Sequence, residues 1–110
     1  MSTPKIFGLY TARFPFLDSK ETKIRPVIVI SKPQGPHKVI AILPVSSKLM
    51  REQVDFTIIE WGDAGLLKPS VARVHRLTTM LQADLIAELG TLSQREIQTL
   101  KTSLKKYLEL

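Results

Sequence analysis

Two arginines, one histidine and two adjacent serines are the residues of this chain best placed to do chemistry. Arg25 directly precedes Pro26. Proline fixes its own backbone and holds the preceding residue extended. An arginine there can offer a guanidinium fork to a phosphate, although the same placement suits a plain surface arginine at a strand start. Arg73 and His75 are two residues apart. On a strand they share a face, roughly 7 Å from each other at about 3.3 Å per residue. No acid occurs between Ala64 and Ala83. Both residues are therefore expected to look into a locally positive field, with His75 a candidate general base. Ser46 and Ser47 follow Pro44 and Val45. Hydroxyls at a strand end can bind phosphate, and they also form ordinary turns. Trp61 beside Gly62 can stack on a base or anchor a core. His37, next to Lys38 in a proline-rich turn, reads as a surface residue.

Other chemistry is excluded by composition. The chain has no cysteine. Disulfides, thiolate metal sites and cysteine nucleophiles are therefore ruled out. It has no glycine-rich phosphate loop, and its two histidines do not sit at a metal-binding spacing with acids. No cofactor and no metal are expected. Net charge is +6. Residues 1–50 hold eight Lys/Arg and two acids, whereas residues 51–110 hold eight of each sign. The whole excess sits in the first half, and segregated positive charge favours a polyanionic partner.

The elements that must position these groups are short. With 110 residues and 44% hydrophobic composition, the chain is read as one domain, 1–110. No apolar run approaches the roughly 20 residues that span a bilayer, and no apolar signal core opens the sequence, so a soluble, cytoplasmic protein without membrane contact is expected. Pro15, Pro26, Pro33, Pro36 and Pro44 punctuate the first half. They bracket predicted strands at 6–14, 25–31 and 39–43, with a polar loop at 18–23 and a turn at 32–37. The apolar run within 25–31 predicts burial on both faces. Residues 46–51 form a connector of about one helical turn. Alternation predicts a half-buried strand at 54–58, with Asp55 and Thr57 facing away from Val54, Phe56 and Ile58. A loop at 62–69 and a strand at 70–77 follow. A short helix is expected at 82–88, ended by Gly90. The clearest element is the C-terminal helix. Ser93 and Glu96 have capping-box spacing, Leu92 and Ile97 staple spacing, and Ile97, Leu100, Leu104, Tyr107 and Leu108 share one face. The fold class is α+β, mainly β: a small twisted barrel or sheet with a terminal helix packed on it.

The order of these pieces resembles the MazF/PemK family of type II toxin–antitoxin toxins. The matching segments are RFPF at 13–16, KIRPVIVIS at 23–31, LPVSSKL at 43–49, GLLKPSVAR at 65–73 and LGTLS at 89–93. The similarity covers nearly the whole chain. It implies an SH3-like barrel of five to seven strands with a C-terminal helix. It also implies a metal-independent endoribonuclease that cuts single-stranded RNA, chiefly messenger RNA, at selected sequences, using the substrate's own 2′-hydroxyl as nucleophile. Such a reaction needs a base for that proton, a cation for the phosphorane and an acid for the leaving oxygen.

By resemblance, Arg25 is the main phosphate-binding and acid residue, Ser46 matches a position that is usually threonine, Arg73 matches an arginine that acts as the acid in the PemK-like branch, and His75 falls where that branch carries an acidic base. Lys20, Lys23, Ser47, Lys48, Ser70 and Arg76 are the expected RNA contacts. A homodimer and a cognate antitoxin are the expected protein partners. Three departures stand out: Phe7-Gly8 where the family opens with glycine and an acid, serine at Ser46, and histidine at His75. Two other readings stay open. One is a gyrase poison like the CcdB toxins, which share the fold; the other is an RNA-binding barrel without catalysis.

Overall fold

The computed structural model describes residues 2–15 and 22–110. The predicted loop at 18–23, and Lys20 within it, fall largely outside them. Among the described residues, seven strands and one α-helix are formed: β1 (Gly8–Pro15), β2 (Thr22–Val29), β3 (Val39–Ser46), β4 (Phe56–Ile58), β5 (Ser70–Ala72), β6 (Thr78–Leu81), β7 (Leu85–Thr91) and α1 (Gln94–Leu108). The sheet runs β4-β5-β3-β2-β1-β7, and β6 also pairs with β3. All pairings are antiparallel. The sheet curls because β3 is shared along one edge by two short strands set end to end. Val45 and Ser46 pair with β5, while residues 39–42 pair with β6.

Strand alternation sends side chains to two cores. Leu9, Ile28 and Leu43 pack with Phe56, Ile58, Val74 and the helix residues Ile97 and Leu100. Tyr10, Val27, Val29, Ile40 and Ile42 pack with Met80 and Leu85. Val27, Ile28 and Val29 are all fully buried, so the apolar run in β2 is covered on both faces as its sequence requires. Helix α1 starts at the expected place. Leu92 and Ile97 are buried in one cluster, and Ser93 Oγ accepts from Glu96 N–H. Only half of the capping box forms. The Glu96 carboxylate accepts instead from the N–H groups of Ile59 and Glu60, tying the end of β4 to the first turn of α1.

Several expected elements are corrected. Residues 46–51 contain no helical turn. The strand expected at 70–77 ends at Ala72; Arg73 leaves the ladder, and a 3-10 turn covers Val74–Arg76. Arg73 and His75 therefore do not share a strand face. The helix expected at 82–88 is a 3-10 turn, Gln82–Asp84, followed by β7. Tertiary pairing with β1 overrides the local preference there. A register shift between Thr11 and Ala12 bulges that pair, and Thr11 Oγ1 accepts from Ala87 N–H at 3.2 Å. Asp55 is buried like its apolar neighbours Phe56 and Ile58. Trp61 is half-buried against the first core, as an anchor.

The loop at 62–69 is docked backbone against backbone. Gly65 has φ +91, and a Cβ there would lie 2.1 Å from Leu89 O. A Cβ on Gly90 would lie 2.5 Å from Ala64 O. Two glycines thus let the loop close onto the end of β7. Gly65→Ala should cost more than about 2 kcal/mol, through its left-handed backbone and the collision with Leu89. Gly62→Ala, with nothing within 4 Å of its Cβ position, should be nearly neutral. Urea unfolding checks both, and equal midpoints for the two variants would contradict the close approach.

Candidate functional site

A groove of about 440 Å³ opens between β2, the end of β3 and the docked loop. Thr11, Arg25 and Pro26 line one side, Val45, Ser46, Ser47 and Lys48 the second, and Gly65, Leu66, Leu67, Lys68, Ser70 and Leu89 the third. β2 places Arg25 opposite Ala12 of β1, half-buried. β3 delivers Ser46 at its last residue, where Ser46 Oγ accepts from Lys48 N–H at 3.1 Å. Its O–H remains free to donate. Ser70 is buried and donates its hydroxyl to Lys68 O at 2.9 Å. Among the described residues, the charged ones of this lining are Arg25, Lys48 and Lys68, all cations. The groove therefore combines fixed positive charge, hydroxyls and an apolar floor, a composition suited to a phosphate with its flanking sugars and bases.

Five of the residues singled out from the sequence meet here: Arg25, Ser46, Ser47, Lys48 and Ser70. Arg73, His75, Arg76 and Lys23 are not among the lining residues. Arg73 is buried, and its guanidinium donates to Lys48 O at 2.6 Å and to Met50 O. The expected acid-free surroundings of Arg73 and His75 are also corrected. Asp55, which precedes His75 by 20 residues, lies between them in space. His75 Nδ1 sits 2.7 Å from Asp55 Oδ1, and Arg73 Nη1 lies 3.7 Å from Asp55 Oδ2. His75 carries further bonds: its N–H donates to Asp55 Oδ1, and its carbonyl accepts from the Tyr107 hydroxyl. Arg76 sits in the 3-10 turn, its N–H on Arg73 O. Lys23 is exposed on β2. His37 is exposed.

Thr11, Lys68 and Asp55 were not singled out from the sequence as site residues. Lys68 lies inside the GLLKPS segment that carries the family likeness. Asp55 had a signal of its own, an acid inside an apolar alternation. Thr11 had none.

A mainly β chain with one curled sheet, a terminal helix and a cationic, hydroxyl-lined groove defines the class of this protein. The family described as PemK-like, MazF-like toxin of type II toxin–antitoxin system matches residues 5–108, and the chain belongs to it. Among solved structures it is similar to the Mycobacterium tuberculosis toxin MazF-mt6, with 20% identity, TM-score 0.72, and coverage of 94% of this chain and 97% of that one. It is also similar to an endoribonuclease in complex with its cognate antitoxin from a mycobacterial species, with 13% identity, TM-score 0.76, and coverage of 100% and 97%. The MazE–MazF structure from Deinococcus radiodurans aligns with 13% identity, TM-score 0.73, and coverage of 100% and 99%. No curated protein matches the sequence. Among the described residues no helix is long and apolar enough to cross a membrane.

Burial alone would push the Asp55 carboxyl up. The His75 ring and the N–H groups of Glu52 and His75 outweigh burial and hold it below its ordinary value of 3.8. A carboxyl depressed on folding stabilises the fold above its unfolded pKa, and that contribution is lost as pH falls through the folded value. Melting temperature should therefore decline as pH drops below 3.8. Asp55→Asn should lower stability at neutral pH by about 3 kcal/mol, since Arg73 stays buried without its counter-charge. It should also make the acid limb shallower. An unchanged acid limb in a folded variant would contradict this account.

Proposed function

We propose that this chain is the toxin of a type II toxin–antitoxin pair and acts as a metal-independent endoribonuclease on single-stranded RNA, chiefly messenger RNA. The observation that carries the reading is the convergence of Arg25, Ser46, Ser47, Lys48 and Ser70 on one groove. An RNA phosphate seated between Arg25 and the Ser46 hydroxyl meets a guanidinium fork on one side and an O–H donor on the other. The substrate's 2′-oxygen attacks its own phosphorus, and the bond from phosphorus to the 5′-oxygen breaks. The products are a 2′,3′-cyclic phosphate and a 5′-hydroxyl. Negative charge grows on the equatorial oxygens, where Arg25, Lys48 and Ser46 stabilise it.

The 2′-hydroxyl proton passes to solvent, and the departing 5′-oxygen takes a proton from solvent while Arg25 donates a hydrogen bond to it. His75 is bonded to Asp55 and is not among the residues that line the groove, so the base role expected of it is not part of this mechanism. Selective cleavage then rests on the bases that settle against Leu66, Leu67 and Leu89. Growth arrest follows from loss of messenger RNA. The partners in this reading are single-stranded RNA, a second copy of the chain, and an acidic antitoxin segment that covers the groove by charge complementarity and inhibits by occupying the RNA site. An antitoxin partner is supported by the mycobacterial endoribonuclease that was solved in complex with its cognate antitoxin.

The test is cleavage of a defined single-stranded RNA with EDTA present, followed by end analysis. The wild type should leave cyclic phosphate and 5′-hydroxyl ends. Arg25→Ala should cut about 10²- to 10³-fold more slowly with an unchanged melting temperature. Ser46→Ala should lose about tenfold, one hydrogen bond to a charged group. Full activity in a folded Arg25→Ala protein would remove the reading. RNA binding without any cleavage would replace it with a non-catalytic barrel.

A further inference from the structure

We infer that Arg73 is a positioning residue, a buried brace that fixes the Ser46–Lys48 wall of the groove without touching RNA. The inference rests on the nuclease reading for its link to rate, and on geometry for the rest.

The wall needs a brace. After β3 ends at Ser46 the chain runs without regular structure until Phe56. Residues 47–50 are all exposed, with Leu49 at 56% and Met50 at 89%. Their side chains bury nothing that would anchor the segment, and exposed loops without buried contacts open easily. What grips the backbone is Arg73. One guanidinium nitrogen donates to Lys48 O at 2.6 Å and another to Met50 O. A planar fork suits two neighbouring carbonyls, whereas a single ammonium does not reproduce that geometry.

The brace is itself anchored at both ends. Arg73 N–H donates to Pro44 O at 2.8 Å, which pins its backbone to β3. Its side chain is only 10% exposed and faces the fully buried Asp55 carboxylate. Asp55 in turn accepts from Glu52 N–H and His75 N–H. The chain of contacts runs from the buried carboxylate through the guanidinium to the carbonyl of Lys48. Lys48 is also the residue whose N–H fixes the Ser46 hydroxyl. Ser46 and Lys48 therefore take their places in the groove from a residue beneath it. The Arg73 guanidinium spends an N–H of each terminal nitrogen on these two carbonyls, and it is buried and not among the residues that line the groove.

The test uses Arg73→Gln, with Arg73→Lys as the variant that keeps a cation against Asp55. Cleavage is measured on two versions of one RNA, the natural linkage and one with sulfur in place of the bridging 5′-oxygen. A sulfur leaving group departs without a proton, so it masks loss of a general acid but not loss of alignment. Both variants should lose about 10²-fold in kcat on both RNAs, with little change in KM. Amide hydrogen exchange at residues 47–51 should quicken at least about tenfold in both, and stay at the wild-type rate in Arg25→Ala. Restoration of rate on the sulfur substrate alone would make Arg73 the acid and overturn the inference. Unchanged exchange at 47–51 in a folded variant would also overturn it. If the wild type cuts neither RNA, the nuclease reading has failed, and the exchange measurement alone then decides whether Arg73 is a brace.

Discussion

A carboxylate buried inside a small curled sheet is the constraint on which the rest of this structure depends. Asp55 has no exposed side-chain surface. An isolated buried charge is too costly to keep, so it must gather donors. It gathers the backbone of Glu52 and His75, the ring of His75 and the guanidinium of Arg73. Those partners explain the local shape. The chain leaves the β5 ladder at Arg73 and turns through Val74–Arg76, which brings the His75 N–H onto the carboxylate. The connection from β3 to β4 is gathered from the other side. Arg51 donates to the carbonyls of Glu52, Gln53 and Asp55. The Asp55 carboxylate and the Arg51 guanidinium thereby organise the two segments together.

The second constraint is steric. Gly65 and Gly90 allow two backbones to meet where any side chain would separate them. That contact sets the third wall of the groove, carrying Leu66, Leu67 and Lys68. The groove is then a gap between three fixed pieces: a paired strand bearing Arg25, the end of β3 with the braced loop after it bearing Ser46 to Lys48, and the docked loop bearing Lys68 with Ser70 at the start of β5. On the proposed nuclease reading, rigid walls matter because fixed donors need no reorganisation as charge develops on a bound phosphate.

Much of this was legible in the residues themselves. The apolar run of β2, the serine cap of α1 and the staple pair Leu92 and Ile97 follow from periodicity and local chemistry. Arg25 was legible because the proline after it forces an extended backbone, and Ser46 because it ends a strand. What could not be read was set by contacts distant in sequence. Asp55 and His75 are 20 residues apart, and the charge pattern around His75 alone gives the opposite picture of its surroundings. Residues 82–88 carry a helix-like composition, yet pairing with β1 makes most of them strand. The kink at Arg73 has no local cause either, since its reason is the carboxylate on another segment.

The central claim, that the groove between β2, β3 and the docked loop is where RNA sits, is tested most directly by amide shift mapping. The probe is a short single-stranded RNA of mixed sequence with 2′-O-methyl groups, which bind but cannot react. The largest shifts should fall on Arg25, on residues 45–48 and on residues 65–70, while Asp55 and His75 stay near their free positions. Shifts concentrated around Asp55, His75 and Glu60, with the groove silent, would contradict the account.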